Sequence, residues 1–240
     1  MQALILCAGL GTRLKPLTDA VPKVMLPIGA KPLLEHHFEQ FEKHGVKEFL
    51  INLHYLPDKI TDYFGNGSKW GIRITYKYEP EILGTAGAMR NFENEIKGPF
   101  FLIYGDIFSL VNYEKLKNYF IDKKDALGVE IIGGTDHPLD SDLVETDNNL
   151  RFKKIYKKPH KELPKKFKSM KAVFVFKKEI LQHIPERQYY EIDHQLLPEI
   201  LAKGEKFYGY ETNDYLKDIG TLERYRRVQE DYISLINYGK

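Results

Sequence analysis

Short apolar runs alternate with longer amphipathic stretches along the first 130 residues of the chain. Residues 2–7, 48–53, 73–78, 100–104 and 127–132 are dense in apolar and β-branched side chains and too short for buried helices, so each reads as a strand. Between them, residues 32–44, 57–64, 85–92 and 113–122 carry helical spacing. In the first of these helices Leu33, Leu34, His37, Phe38 and Phe41 share one face, Pro32 occupies a tolerated early position and Gly45 ends the run. His36 and His37 read as packing or surface residues. Strands that alternate with helices predict a mostly parallel sheet covered on both faces.

After Gly133-Gly134 the rhythm changes. Residues 142–147 and 150–156 flank Asn148-Asn149 as the arms of a hairpin, and a Lys- and Pro-rich loop follows from 157 to 168 as a solvated charged segment. Residues 170–176 return as a strand, 190–203 as a helix, 206–211 as a strand and 222–236 as a long closing helix. No internal repeat is present, and no hexapeptide pattern that would wind an appended β-helix.

Composition adds bounds rather than a function. The 240 residues, 42% hydrophobic and 29% charged, can bury a substantial core as one domain. The 36 basic and 34 acidic residues leave a formal charge of +2, so no global field favours a nucleic acid or an anionic membrane, and anion binding must be local. The one cysteine, Cys7, lies in the first apolar run as a small buried hydrophobe and cannot form an internal disulfide. The N-terminal run is too short for a signal peptide and no apolar stretch approaches ~20 residues, so a cytoplasmic protein is expected.

The chemistry concentrates in Leu6-Cys7-Ala8-Gly9-Leu10-Gly11-Thr12-Arg13-Leu14 and the following Pro22-Lys23. Gly9 and Gly11 let the backbone turn sharply and bring N–H groups against an anion, and Arg13 and Lys23 can neutralise phosphate oxygens. A tight strand-to-helix connection is the structural alternative for the two glycines. The loop has neither the Lys-Ser/Thr of a Walker loop nor the third glycine of a dinucleotide fingerprint.

Three further elements fall at the carboxyl ends of predicted strands, where a parallel sheet gathers ligand-binding groups. Glu79-Pro80-Glu81-Ile82-Leu83-Gly84-Thr85-Ala86-Gly87-Ala88 opens a helix with small residues that let a flat ligand or a phosphate approach, although Gly84-Thr85 also reads as a turn and cap. Tyr104-Gly105-Asp106 places a carboxylate just beyond the fourth strand, and Asp218 precedes a turn into the closing helix. Two carboxylates facing a triphosphate hold Mg²⁺, a hard cation that keeps several waters; each aspartate alone reads equally as a cap or turn residue.

Taken in order, Ala-Gly-Leu-Gly-Thr-Arg-Leu, Pro-Lys, Leu-Gly-Thr-Ala-Gly-Ala, Gly-Asp and Asp-Ile-Gly-Thr resemble the sugar-1-phosphate nucleotidylyltransferases, over residues 1 to about 225. The resemblance implies a three-layer α/β/α Rossmann-like nucleotidyltransferase fold with a mostly parallel mixed central sheet. It implies one domain over 1–240, with a nucleotide-binding half to about 132, an acceptor-binding half over 133–225 and a closing helix at 222–237. It also implies Mg²⁺-dependent transfer of a nucleoside monophosphate from NTP to a phosphomonoester, with release of pyrophosphate. On that model Ala8, Gly9, Gly11 and Thr12 hold the triphosphate, Arg13 steadies the departing pyrophosphate, and Lys23 neutralises the α-phosphate or the incoming phosphate. Asp106 and Asp218 hold the metal, Gly84 and Thr85 touch the nucleoside, and Lys158 and Asp142 face the acceptor. No protein nucleophile is required, since positioning and charge neutralisation dominate phosphoryl transfer.

The chain departs from the family pattern on the acceptor side. Lys157-Lys158-Pro159 replaces Glu-Lys-Pro and removes a carboxylate that would bind sugar hydroxyls, Asp142 stands for a glycine, and Met170-Lys171-Ala172 replaces Asn-Ala-Gly. These changes point away from glucose 1-phosphate and toward a heptose or other modified sugar, or a non-sugar phosphate such as an inositol or aminoalcohol phosphate. At the base, Glu79 stands where some members carry a glutamine that reads a pyrimidine, and a carboxylate can accept from guanine N1–H and N2–H, so guanylyl transfer to mannose or heptose 1-phosphate is favoured over thymidylyl, uridylyl or cytidylyl transfer. The structural alternative makes Glu79 a surface residue. The functional alternatives are a non-catalytic nucleotide-sugar sensor and a glycosyltransferase. The Asp-x-Asp metal pair common in glycosyltransferases is missing at Asp106-Ile107-Phe108. Expected partners are the NTP and the acceptor, with neither nucleic acid nor membrane, and a homo-oligomer is compatible with the reading.

Overall fold

The structure is a computed structural model that describes residues 1–238, with side chains described through residue 235. Its strands are β1 (Gln2–Leu6), β2 (Pro27–Ile28), β3 (Lys31–Pro32), β4 (Glu48–Leu53), β5 (Arg73–Tyr78), β6 (Phe100–Tyr104) and β7 (Ile107–Ser109). They continue with β8 (Gly128–Gly133), β9 (Leu143–Thr146), β10 (Phe152–Tyr156), β11 (Lys168–Phe176), β12 (Phe207–Glu211) and β13 (Leu216–Asp218). The α-helices are α1 (Leu33–Glu42), α2 (Asp58–Phe64), α3 (Gly84–Asn91), α4 (Tyr113–Asp122), α5 (Leu197–Ala202) and α6 (Leu222–Tyr238).

The chain forms two compact units, each drawn from separate stretches of sequence. One, here the loop unit, comprises residues 3–82, 103–111 and 214 onward; the other, the second unit, comprises residues 1–2, 83–102 and 112–213.

In the loop unit β1, β4 and β5 pair in parallel, with Ala3 opposite Phe49 and Glu48 opposite Arg73. Ala3, Leu4 and Ile5 are wholly buried, as a parallel strand covered on both faces requires. The apolar face expected of the first helix is buried: Phe38 and Phe41 pack on Phe49 with ring centroids 4.7 and 6.1 Å apart. Pro32 is not part of that helix. It lies in β3, opposite Pro27, and Leu33 N–H still donates outward to Leu26 O (3.0 Å), so the helix starts one residue later. Leu14, Leu26, Ile28, Leu33, Phe108, Ile219 and Val228 form one buried cluster. This cluster ties the segment behind the glycine loop to the closing helix, at about 1.5–3 kcal/mol for each large side chain fully withdrawn from water.

In the second unit the pairing is largely antiparallel: β9 with β10, β8 with β11 and β9 with β11, against the parallel pair of β8 with β12. The hairpin turn expected at Asn148-Asn149 is wider than two residues. Asp147 Oδ1 accepts both Asn149 N–H (2.8 Å) and Arg151 N–H (3.0 Å), and Leu150 adopts a φ of 62°. The helix expected over 190–203 is also shorter. A π-helical turn at Ile192–Leu196 runs into α5, while Tyr190 stays outside the helix, its N–H donating to Leu83 O and its carbonyl accepting from Ala86 and Gly87. The three-residue strands β7 and β13 pair only with each other in a small sheet, and nothing in the apolar periodicity announced them. No helix among the described residues is long and apolar enough to cross a membrane.

Candidate active site

The loop unit gathers its candidate residues around the end of β1. Gly11 is left-handed (φ 66°), and its carbonyl accepts from Leu14 N–H (2.9 Å) and the Thr18 hydroxyl (2.8 Å), which folds Thr12–Leu14 into a single 3₁₀ turn. Thr12 and Arg13 are exposed on that turn and Ala8 is buried beneath it. A methyl group at Gly9 would meet no protein atom within 4 Å, so internal packing gives no reason for glycine there.

Asp106 is brought to the loop by Gly105. Gly105 N–H donates to Leu6 O (2.9 Å), and a methyl group at Gly105 would lie 2.5 Å from that oxygen, so only glycine permits the approach. Lys23 Nζ lies 2.9 Å from Asp106 Oδ2, with the two side chains only 16% and 22% exposed. Burial pushes the Asp106 carboxyl up, but the Lys23 ammonium, its hydrogen bond and the nearby Arg13 guanidinium more than offset that and hold it below the usual carboxylate range. Asp106 in turn adds to the burial that raises the Cys7 thiol. Cys7 is 3% exposed, the inert hydrophobe its sequence context suggested.

Asp218 enters through β13. It stands opposite Ile107, and Ile219 N–H donates to Asp106 O (2.9 Å), so the two candidate metal carboxylates come from adjoining main-chain segments. Asp218 Oδ1 accepts Gly220 N–H (2.8 Å) and an Arg224 N–H (3.0 Å). A methyl group at Gly220 would be 2.7 Å from Asp218 Oδ1 and 3.3 Å from Arg13 Nη2, which places Arg13 beside this turn. Arg13, Lys23, Asp106 and Asp218 therefore converge, although they are spread over 200 residues of sequence. Among the described residues no group of three or more His, Cys, Asp or Glu side chains is arranged to hold a metal ion by itself.

Glu79 is not a surface residue. It is 1% exposed, and its Oε1 accepts from Asn52 Nδ2 (2.9 Å), whose Oδ1 accepts Cys7 N–H (2.7 Å). His54 Nδ1 also bonds the Glu79 carbonyl (2.7 Å). The carboxylate thus belongs to a buried relay that fixes the ends of β1, β4 and β5. His36 and His37 are structural, as expected: His36 Nε2 bonds Ile28 O (2.8 Å) and His37 Nε2 bonds Gly105 O (3.2 Å). Burial lowers His37 to about 4, with the Gly105 contact opposing the shift.

In the second unit Gly84 and Thr85 have structural tasks. Gly84 is left-handed (φ 73°), and a methyl group there would be 2.7 Å from Tyr190 O. The Thr85 hydroxyl accepts Ile192 N–H (2.8 Å) and donates to Glu191 (3.0 Å), capping the π-helical turn. Because Ala86 and Gly87 N–H already donate to Tyr190 O, these two groups at the start of α3 are not open to a phosphate.

Asp142 and Lys158 are joined. Asp142 Oδ1 accepts Lys158 N–H (3.2 Å), and its Oδ2 lies 3.4 Å from Lys158 Nζ. One partner of this pair escaped sequence reasoning. His194 Nε2 lies 2.9 Å from Asp142 Oδ1, and the Lys157 ammonium donates to His194 O. Glu130, wholly buried in β8, accepts Lys171 and Ala172 N–H on Oε1 (3.0 and 3.1 Å), while its Oε2 has no partner among the described residues. Burial first, and the Asp193 carboxylate second, push the Glu130 carboxyl well above the ordinary range. A charged residue inside an otherwise apolar strand, Val129-Glu130-Ile131, was the available signal.

Comparison with known proteins matches residues 2–234 to the nucleotidyl transferase family model. The chain is 30% identical over 242 residues to a UTP–glucose-1-phosphate uridylyltransferase of Synechocystis, covering 94% of this chain and 61% of that protein. It is 28% identical over 235 residues to a mannose-1-phosphate guanylyltransferase of Mycobacterium tuberculosis, covering 97% and 65%. A D-glycero-alpha-D-manno-heptose 1-phosphate guanylyltransferase of Campylobacter jejuni is 43% identical over 117 residues, or 49% of this chain and 52% of that protein. The chain thus spans roughly half to two thirds of the length of these curated relatives. Among solved structures, HddC from Yersinia pseudotuberculosis complexed with GMP-PN superposes with a TM-score of 0.79 at 25% identity, covering 96% of this chain and 99% of that one. A glucose-1-phosphate thymidylyltransferase structure from Bacillus anthracis shares the fold, with a TM-score of 0.86 at 20% identity over 97% and 95% of the two chains. The α/β architecture with a mixed sheet and flanking helices is that of the sugar-1-phosphate nucleotidyltransferases, and the chain belongs to the nucleotidyl transferase family.

Proposed function

We propose that this chain transfers a nucleoside monophosphate from an NTP to a sugar 1-phosphate. In that reaction an oxygen of the acceptor phosphate forms a bond to the α-phosphorus, the bond from that phosphorus to the bridging oxygen breaks, and pyrophosphate leaves with the electron pair. The observation that carries the reading is the convergence of Arg13, Lys23, Asp106 and Asp218 behind a left-handed glycine turn. A protein that only binds a nucleotide sugar needs no such set.

The roles follow from charge and position. The turn at Gly9–Arg13 offers backbone N–H groups and an exposed guanidinium to the triphosphate, and Gly9 leaves the backbone open to close approach. Arg13 stabilises charge as it develops on the leaving pyrophosphate, and Lys23, kept in place by Asp106, does so at the α-phosphate. Asp106 and Asp218 are hard oxygen donors and would hold Mg²⁺. Each is held ready by a cation, Lys23 for one and Arg224 for the other. When bound, the ion supplies charge neutralisation of the phosphates. Lys158 would meet the acceptor phosphate.

Guanine is the base we propose, supported by a mannose-1-phosphate and a heptose-1-phosphate guanylyltransferase among the relatives; Glu79, engaged in the buried relay, lends the choice no support. The test is pyrophosphate release with each NTP in turn, Mg²⁺, and mannose, heptose and glucose 1-phosphates. GTP with a mannose-type acceptor is expected to turn over fastest. Preference for a pyrimidine NTP would overturn the base assignment, and NTP binding without pyrophosphate release for any pair would overturn the enzyme.

A further inference from the structure

The second unit joins the two acceptor-side residues of the family pattern, Asp142 and Lys158, to a histidine that no family motif assigns, His194. Asp142 is the hub, with a side chain only 10% exposed, while His194 and Lys158, both bound to it, are 38% and 44% exposed. A buried carboxylate therefore holds two half-exposed side chains from below. They come from different places: Asp142 immediately precedes β9, Lys158 follows β10, and His194 lies in the π-helical turn Ile192–Leu196. Single π turns are rare and concentrate at functional sites. This one is built deliberately, since Thr85 caps it and Lys157 bonds the His194 carbonyl.

The chemistry of the imidazole follows from its partner. Nε2, facing a carboxylate oxygen at 2.9 Å, carries a proton, and in the neutral ring Nδ1 is then an acceptor of hydrogen bonds. A hydrogen-bond acceptor is what the chain lacks beside Lys158, because Lys157 stands where a carboxylate would accept from sugar hydroxyls. Asp142 is poorly placed for the role: its side chain is 10% exposed, its Oδ1 accepts from His194 and Lys158 N–H, and its Oδ2 faces the Lys158 ammonium.

We propose that His194, its tautomer fixed by Asp142, is a specificity-determining residue that accepts a hydrogen bond from an acceptor hydroxyl while Lys158 contacts the acceptor phosphate. This rests on the nucleotidyl transfer proposed above and narrows its acceptor to a hydroxyl-bearing sugar phosphate, away from aminoalcohol phosphates. Asp142 is the positioning residue.

The test compares wild type, His194→Ala and His194→Asn in full steady-state kinetics with mannose 1-phosphate and its monodeoxy analogues. His194→Ala is expected to raise the acceptor KM about tenfold, the usual cost of one neutral hydrogen bond, with the NTP KM within twofold. His194→Asn, whose amide oxygen reaches the position of Nδ1, is expected to recover most of the loss. One monodeoxy analogue is expected to abolish the difference between wild type and His194→Ala, which a merely structural role would not do. Turnover with an unchanged acceptor KM in His194→Ala, or an equal loss with every analogue, would overturn the proposal and leave nucleotidyl transfer standing. If no acceptor turns over, nucleotidyl transfer fails, and the residue is judged by calorimetric titration of mannose 1-phosphate into protein saturated with a non-hydrolysable NTP. Weaker binding by His194→Ala supports the role; equal binding, or none by wild type, overturns it.

Discussion

The two compact units solve the same backbone problem with different residues. In the loop unit the left-handed positions are filled mainly by glycine, at Gly11, Gly29, Gly45, Gly65, Gly67 and Gly71, with Leu56 as the exception. In the second unit Leu150, Ala172 and Arg187 take positive φ alongside Gly84 and Gly204. Two of those three are held by carboxylates: Glu130 accepts the N–H groups of Lys171 and Ala172, and Asp147 organises the turn around Leu150. The structure offers no account of Arg187. Charge follows the same division. The Asp106 carboxylate of the loop unit meets Lys23 directly, whereas Glu130 is buried with one oxygen unpartnered and a second carboxylate nearby. A glycine solution is visible as a motif, and a carboxylate solution looks like sequence drift until its partners are known.

The contrast can be broken most sharply at Arg13. Arg13→Ala is expected to lower kcat by about 10²–10³, the usual cost of deleting one electrostatic stabiliser, while the melting temperature of this exposed residue's variant stays within a few degrees of wild type. Equal losses of rate and fold would deny the loop a catalytic role.

A pH effect in the same unit comes next. Because His37 is held near 4 in the fold against an ordinary 6.5, the unfolded chain takes up the proton first as pH falls. Stability is therefore complete above about 6.5 and declines toward pH 4, by about 3 kcal/mol in total. In urea titrations across this window wild type is expected to lose about 3 kcal/mol relative to His37→Leu as pH falls from 7 to 4; parallel curves would show that the ring is not buried neutral.

For the second unit the sign reverses. Glu130 has a raised carboxyl pKa, so its contribution is present in acid and is lost as pH climbs above the ordinary carboxylate range. Glu130→Gln, which keeps an oxygen for Lys171 and Ala172 N–H, is expected to gain melting temperature relative to wild type as pH rises from 5 to 8. Glu130→Leu, which strips both N–H groups of their acceptor, should cost about 2 kcal/mol. A pH-independent difference between wild type and Glu130→Gln would contradict a raised Glu130 carboxyl in the fold.

The smallest effect belongs to Ala172. With φ at 55°, Ala172→Gly should stabilise by about 1 kcal/mol, read as a shift in the urea midpoint. A destabilised variant would mean that Glu130 does not hold a strained turn.

In the loop unit the long parallel strands and the charged motifs were legible, while the short strands β2, β3, β7 and β13 were not. Residues 48–53 and 73–78 are strands at the expected limits, and Arg13, Lys23, Asp106 and Asp218 come together as their motifs implied. Glu79 was half legible: a carboxylate at a strand end is visible, but its burial depends on Asn52 and Cys7, distant in sequence. The His194–Asp142 contact joins residues 52 apart, and the π turn that presents the imidazole depends on Thr85, 107 residues before Ile192. Apolar periodicity reports which face is buried and says nothing of such contacts, so the helix expected over 190–203 concealed both the turn and the histidine.

Product analysis tests nucleotidyl transfer most directly. Purified protein incubated with GTP, Mg²⁺ and mannose or heptose 1-phosphate should yield a nucleotide-diphosphate sugar and pyrophosphate in equal amounts, with both lost together in Arg13→Ala. Pyrophosphate formed without a nucleotide sugar, or GTP bound and recovered unchanged beside every sugar 1-phosphate, would contradict it.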